Sequence, residues 1–138
     1  MLAAFAVGAT CAPSASAHSV LIRTQPGNDV VVPESPDQVV LEFNEPVDTS
    51  LGSLRVFDGQ GQQVDSGDVS QAVATEVAVG LDSELPPGTY TVAWRAISAD
   101  SDPISGAFVF HVQERGVQAA GISVDSLTGT SEIGRAHV

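Results

Sequence analysis

Residues 85–98 read LPPGTYTVAWRAIS, and within this stretch the side chains of residues 90–95 alternate between large apolar types and smaller or polar types. From Tyr90 to Trp94, every second residue is large and apolar. A period of two residues predicts a β-strand with one buried face. The same alternation occurs in residues 39–43 (VVLEF) and 54–56 (LRV). These stretches are typical of half-buried strands.

Turn sequences rich in Gly, Pro, Asn and Asp separate these strands and leave no room for a helix longer than a few turns. They are Gly27-Asn28-Asp29, Glu45-Pro46, Asp58-Gly59-Gln60-Gly61, Ser66-Gly67-Asp68 and Pro86-Pro87-Gly88. We therefore predict an all-β chain of about seven short strands. Trp94 within a strand favours an immunoglobulin-like Greek-key fold, either a β-sandwich or a β-barrel.

The charge of the chain limits its partners. The 138 residues include 17 acidic and 5 basic side chains, which gives a formal net charge of −12 at pH 7. A strongly acidic protein is a poor partner for nucleic acid or an anionic membrane surface. The same charge keeps an exported protein soluble, and it raises the local concentration of cations.

The N-terminus has the features of an export signal. Residues 1–11 (MLAAFAVGATC) form an apolar run of the expected length, and the small-residue sequence Ala15-Ser16-Ala17 follows it. No Lys or Arg precedes the run, so the start of the predicted signal peptide, residues 1–17, is incomplete. A short buried helix is the alternative interpretation of this run. The only Cys and the only Met lie in this leader, so the mature chain would contain no disulfide and no soft ligand for Cu(I).

Cleavage after the leader would make His18 the first residue. The free α-amino group and the imidazole of a first-residue histidine can together chelate a metal ion, and both nitrogens are available near neutral pH. Nitrogen ligands of this kind favour Cu(II), Ni(II) or Zn(II) over Mg(II) or Ca(II). The sequence therefore predicts a metal chelate at the mature N-terminus.

Three stretches carry a resemblance to known proteins: HSVLIRTQPGNDVVVPESPDQVVLEFNEPV (18–47), LRVFDGQGQQV (54–64) and LPPGTYTVAWRAISADSDPISGAFVFHV (85–112). Together they resemble the CopC family of exported copper-binding proteins. The resemblance implies a copper-binding domain over residues 18–113, a Greek-key β-fold and no enzymatic activity. It also implies binding of Cu(II) in the periplasm or at the extracytoplasmic cell surface. The protein would be either soluble or the leading domain of a CopD-like membrane protein.

The family's Cu(II) site consists of the amine and imidazole of an N-terminal His, an Asp, and a His two residues after that Asp. The first positions match His18 and Asp100, whereas the second imidazole is replaced by Asp102. Glu45 corresponds to an acidic residue near the family's site. Two nitrogens with two carboxylates are an acceptable donor set for Cu(II), but the loss of an imidazole predicts a weaker and more permissive site.

Other interpretations of these residues remain open. An Asp-Ser-Asp-Pro sequence is by itself more typical of a turn than of a metal site. If the loop is only a turn, the domain is an interaction module that has lost the ability to bind copper. A remote alternative is a copper monooxygenase with a histidine brace, whose second imidazole would come from His111. The alternation with Phe108 and Phe110 predicts that His111 faces solvent instead.

The C-terminal residues divide into two predicted segments. Residues 114–131 are rich in Gln, Gly, Ser and Thr and are typical of a linker. Residues 132–138 (EIGRAHV) match a peptide encoded by a widely used sequencing adapter, so we expect them to be an artefact and exclude His137 from any metal site. We expect the natural protein to continue into a transmembrane helix or a CopD-like domain.

Overall fold

The computed structural model describes residues 19–122 and Gly8, with backbone alone for residues 51–53. Apart from Gly8, the predicted signal peptide lies outside the described residues, and so do His18, the predicted artefact at 132–138 and the linker beyond Ile122.

The described chain forms eight β-strands in two four-stranded sheets. The strands are β1 (Leu21–Gln25), β2 (Val31–Val32), β3 (Gln38–Phe43), β4 (Val47–Phe57), β5 (Asp65–Ser70), β6 (Glu76–Leu81), β7 (Gly88–Ser98) and β8 (Pro103–Val112). Their order is β1-β3-β6-β5 in one sheet and β2-β8-β7-β4 in the other. The all-β sandwich prediction is confirmed, and the strand beyond the expected seven or so is β2, which has only two residues. No helix in the described part of the chain is long and apolar enough to cross a membrane.

The core lies between the two sheets and contains the alternating residues that the sequence pattern identified. Leu41 and Phe43 of β3 are buried, and so are Val92 and Trp94 of β7. Trp94 meets Phe43 edge to face, with ring centroids 5.3 Å apart and an interplanar angle of 72°. Each fully buried aliphatic or aromatic side chain stabilises the fold by about 1.5–3 kcal/mol. Hydrophobic burial between the sheets therefore stabilises the sandwich, but β7 is buried on both faces between residues 89 and 94 and not on one face, as the alternation predicted.

His111 is buried, at 4% exposure, so the prediction that it faces solvent is wrong. Its Nδ1 lies 2.8 Å from Oγ1 of Thr89, and its Nε2 lies 2.7 Å from Oδ1 of Asp29 and 2.9 Å from Nη1 of Arg115. We call these four residues the His111 cluster. The alternation correctly places His111 on the side of β8 opposite Phe110, but segments distant along the chain cover that side.

The His111 cluster joins the β1–β2 connection to the first residues of the predicted linker. Arg115 Nη1 donates to Asp29 Oδ1 at 2.5 Å, and the Gly116 amide donates to Thr89 Oγ1 at 2.8 Å. The hydrogen bond to His111, followed by that to Arg115, lowers the pKa of Asp29 below its ordinary value of 3.8. Polar contacts therefore hold the β1–β2 connection and the first residues of the predicted linker against this end of the sandwich.

Candidate metal-binding pole

The opposite end of the sandwich carries the predicted carboxylates, in the loop that joins β7 to β8. The Ser98 amide donates to the Asp102 carbonyl at 2.9 Å, and the Ser101 amide donates to the Ser98 carbonyl at 2.9 Å. Ser101 has a positive φ of 71°, in the left-handed region. These features make residues 99–102 a closed turn, as Asp-Ser-Asp-Pro sequences often form.

A buried serine orients the first of the two aspartates. Ser98 is 3% exposed, and its hydroxyl donates to Oδ1 of Asp100 and lies 3.0 Å from the Asp102 carbonyl oxygen. The Asp102 amide also approaches Oδ1 of Asp100, at 3.3 Å. Both aspartates are exposed. The loop thus holds Asp100 in a defined orientation and presents two carboxylates at the surface.

Glu45 lies in the turn between β3 and β4, and it too is exposed. The turn is held from one side, because the Phe43 amide donates to the Thr75 carbonyl at 2.8 Å and the Val47 amide donates to the Ala74 carbonyl at 3.0 Å. It is held from the other side by the N-terminal residues, because Ser19 Oγ donates to the Pro46 carbonyl at 3.2 Å. Glu45 is therefore carried by a well-anchored turn.

Strand pairing brings the turn, the loop and the N-terminal residues to one end of the sandwich. Val47, which follows the Glu45 turn, pairs with Ser98, which precedes the aspartate loop. Ser19 contacts the same turn. We call this end, formed by Ser19, residues 44–46 and residues 99–102, the N-terminal pole.

The described carboxylates do not make a metal site by themselves. Within residues 19–122, no group of three or more His, Cys, Asp or Glu side chains lies together in a way that could hold a metal ion. Asp100 and Asp102 therefore need at least one further donor. The predicted donor, His18, is bonded directly to Ser19, whose side chain is 4% exposed at this pole.

Two polar residues, Asn44 in the pole and Ser98 at the base of its aspartate loop, were not identified from the sequence. Asn44 accepts a hydrogen bond from the Val20 amide at 2.7 Å, and its own amide donates to the Val20 carbonyl at 3.0 Å. Ser98 orients Asp100, as described above. Asn44 directly precedes Glu45 in the Phe-Asn-Glu-Pro-Val segment, so its place in the sequence could have indicated a role at this site. Its hydrogen-bond partner, Val20, could not be predicted, because it lies 24 residues earlier in the chain.

Comparisons with known proteins converge on one group. The sequence model of the CopC domain matches residues 21–113. Copper resistance protein C of Escherichia coli is 33% identical over 109 residues, which cover 72% of this chain and 85% of that protein. Copper transport protein CutJ of Bacillus subtilis strain 168 is 32% identical over 98 residues, which cover 70% of this chain but only 18% of CutJ.

Solved structures give the same result. CopC from Methylosinus trichosporium OB3b superimposes with a TM-score of 0.64 at 30% identity, over 71% of this chain and 95% of that one. PcoC of Escherichia coli, described as a methionine-rich copper resistance protein, superimposes with a TM-score of 0.62 at 28% identity, over 70% of this chain and 99% of that one.

Proposed function

This chain belongs to the CopC family, a family of copper resistance and transport proteins, and from that premise we propose that it captures Cu(II) outside the cytoplasm for storage or delivery. In this proposal the protein is exported and acts without catalysis. Its partners are the copper ion and a CopD-like membrane protein, fused to it or separate.

The proposed ligands are the amine and imidazole of His18 with the carboxylates of Asp100 and Asp102. Cu(II) favours tetragonal sets of nitrogen and oxygen donors, which these groups supply. Two carboxylates balance the charge of the ion, so the loaded site is formally neutral. Glu45, on the adjoining turn, orients a ligand or coordinates weakly.

The observation that carries the proposal is the convergence of three segments at the N-terminal pole. The pairing of Val47 with Ser98 joins the Glu45 turn to the aspartate loop, and Ser19 is hydrogen-bonded to that same turn. Ser19 and the aspartate loop thus lie at the same pole, and His18 immediately precedes Ser19 in the sequence. In this proposal, a first-residue histidine adds two nitrogen donors to the two carboxylates.

The choice of Cu(II) over Cu(I) follows from the ligand types in the chain. Cu(I) prefers thiolate and thioether ligands. The only Cys and the only Met are Cys11 and Met1, both in the predicted leader. The PcoC relative, by contrast, is described as methionine-rich. We therefore propose that the mature chain binds the cupric ion alone.

The proposal is tested by titrating Cu(II) into the chain that begins at His18 and recording electron paramagnetic resonance spectra. The control carries one extra residue ahead of His18, which removes the free amine from the histidine. We expect one Cu(II) per chain with nitrogen coupling, and loss of that coupling and of tight binding in the control. Equal, weak binding by both proteins would refute the proposal and favour an interaction module that has lost copper.

A further inference from the structure

Asn44 holds the backbone of Val20 through two hydrogen bonds. The Val20 amide donates to Asn44 Oδ1 at 2.7 Å, and the Asn44 amide donates to the Val20 carbonyl at 3.0 Å. Because a backbone amide can only donate, the side-chain atom that faces it is the amide oxygen of Asn44. Both backbone groups of Val20 are thus hydrogen-bonded to Asn44. The N–H of Val20 is bonded to the Asn44 side chain, and its carbonyl is bonded to the Asn44 backbone amide.

This contact begins where the regular strand pairing ends. Leu21 pairs with Phe43, and the register of β1 against β3 is irregular between Leu21 and Arg23. The Val20 side chain is 55% exposed, so packing contributes little to holding this residue. Hydrogen bonds to Asn44, extended by the bond from Ser19 Oγ to the Pro46 carbonyl, hold the chain here instead.

The anchor and the carboxylate loop are connected through backbone hydrogen bonds and strand pairing. Asn44 lies between Phe43 and Val47, whose amides donate to the carbonyls of Thr75 and Ala74. Val47 in turn pairs with Ser98, at the base of the aspartate loop. An extended chain advances at most about 3.6 Å per residue. The backbone of a residue two positions before Val20 can therefore be at most about 7 Å from the backbone of Val20.

We propose that Asn44 is a positioning residue of the copper site, which fixes Val20 so that the histidine two positions earlier meets the aspartate loop. This inference rests on the proposed function. Without the anchor, the residues that precede Leu21 must be ordered when the metal binds, and ordering free backbone opposes binding. Asn44 thus raises affinity by preorganisation and does not touch the ion.

The first test compares Cu(II) affinity among side-chain variants of Asn44. Asn44→Ala should weaken binding by on the order of tenfold, as is typical when a group that supports a metal ligand is removed. Nitrogen coupling from the His18 chelate should persist, because both its nitrogens are unchanged. Asn44→Asp retains an acceptor oxygen and should restore affinity. Asn28→Ala, at the chain's other asparagine, is the matched control and should bind like the wild type.

The second test changes the spacing and leaves the folded domain alone. One glycine is inserted between His18 and Ser19, so the histidine remains the first residue and its chelate remains intact. If Asn44 fixes the register of Val20, the inserted residue moves the histidine away from the loop. Affinity should then fall as it does in Asn44→Ala. This variant tests the inference even where Asn44→Ala is too unstable to assay.

The outcomes separate the two proposals. Tight binding by the wild type with loss in both Asn44→Ala and the insertion variant supports the inference. Wild-type affinity in the insertion variant overturns it and leaves the proposed copper function standing. Weak binding without nitrogen coupling in the wild type itself overturns the proposed function, and the inference with it.

Discussion

Replacing Gly106 by alanine should destabilise the domain, because the indole of Trp94 occupies the space that a side chain would need. A Cβ atom on Gly106 would lie 2.8 Å from Cζ2 and 2.9 Å from both Cε2 and Nε1 of Trp94. Non-bonded carbon atoms are most favourably separated by about 3.5–4.0 Å, so the ring or the strand must move by at least about 0.7 Å. Overpacking of this kind lowers the free energy of unfolding by about 1–3 kcal/mol.

The ring has little freedom to move. Trp94 is 8% exposed and packs edge to face on Phe43, at a centroid distance of 5.3 Å. Phe43 directly precedes the turn of the N-terminal pole, so a shift of the indole would also disturb that turn.

Gly80→Ala is the matched control for this change. Gly80 also lies in a strand, but its added Cβ would meet only the side chain of Ser66, with Oγ at 3.3 Å and Cβ at 3.8 Å. Ser66 is exposed, and its hydroxyl can rotate away. Removing a flexible glycine from the unfolded chain where the new side chain fits raises stability by about 0.4–1 kcal/mol. The same substitution should therefore have opposite signs at the two positions.

Thermal and urea denaturation, followed by circular dichroism and by tryptophan fluorescence, measure both effects. A loss of about 2 kcal/mol in a domain of this size lowers Tm by roughly 8–16 °C. Trp94 is the only tryptophan in the chain, so its emission reports on the altered packing. A Gly106→Ala variant as stable as the wild type would refute the proposed packing of Trp94 over Gly106.

Three further predictions concern the polar residues. Asp102→His should tighten Cu(II) binding by about tenfold, or about 1.4 kcal/mol, in competition titrations with a chelator, and equal or weaker binding would count against the proposed ligands. Asp29 has a folded pKa below 3.8, so its ionised form stabilises the fold above that pH, and this stability is lost as the pH falls through the folded pKa. Urea titrations that begin at about pH 5 and continue down through the folded pKa of Asp29 should therefore show a smaller loss of stability in Asp29→Asn than in the wild type. An equal loss in both proteins would refute the stabilising contact of Asp29 with His111 and Arg115. The Thr91 hydroxyl is buried and has no hydrogen-bond partner among the described residues, so Thr91→Val should add about 1 kcal/mol of stability. Thr89→Val should lose about 1–3 kcal/mol, because it removes the partner of His111 Nδ1, and the same sign for both threonine variants would contradict this assignment.

The strands were predictable because burial of one face imposes a period of two, which is visible in residues 39–43 and 90–95 without any knowledge of their neighbours. The short strand β2 was not predictable in this way, because two residues show no period. His111 marks the limit of the same argument. Periodicity assigns a side chain to one face of a sheet, but it does not reveal whether Asp29, from a distant segment, will cover that face.

In the candidate site, too, local features could be predicted from the sequence and contacts between distant segments could not. The pattern of residues identified Asp100 and Asp102, because the loop sequence is local and resembles the family's loop. The supporting contacts were not visible, because they join segments that are far apart along the chain. Asn44 binds Val20 across 24 residues, and Ser19 reaches Pro46 across 27. Such contacts depend on which strands become neighbours, which the topology decides.

The geometry of the aspartate loop indicates how aspartate, in place of the family's histidine at position 102, affects the loop and the donors it presents. The backbone of Asp102 closes the loop, since its carbonyl accepts from the Ser98 amide at 2.9 Å and lies 3.0 Å from the Ser98 hydroxyl. Neither contact uses the Asp102 side chain. A histidine at this position can therefore make the same backbone bonds, and the orientation of Asp100 by Ser98 remains. The exchange of imidazole for carboxylate then alters the donor offered to the metal while these backbone contacts of the loop are kept, so Asp102→His should change copper affinity and leave the closed turn in place.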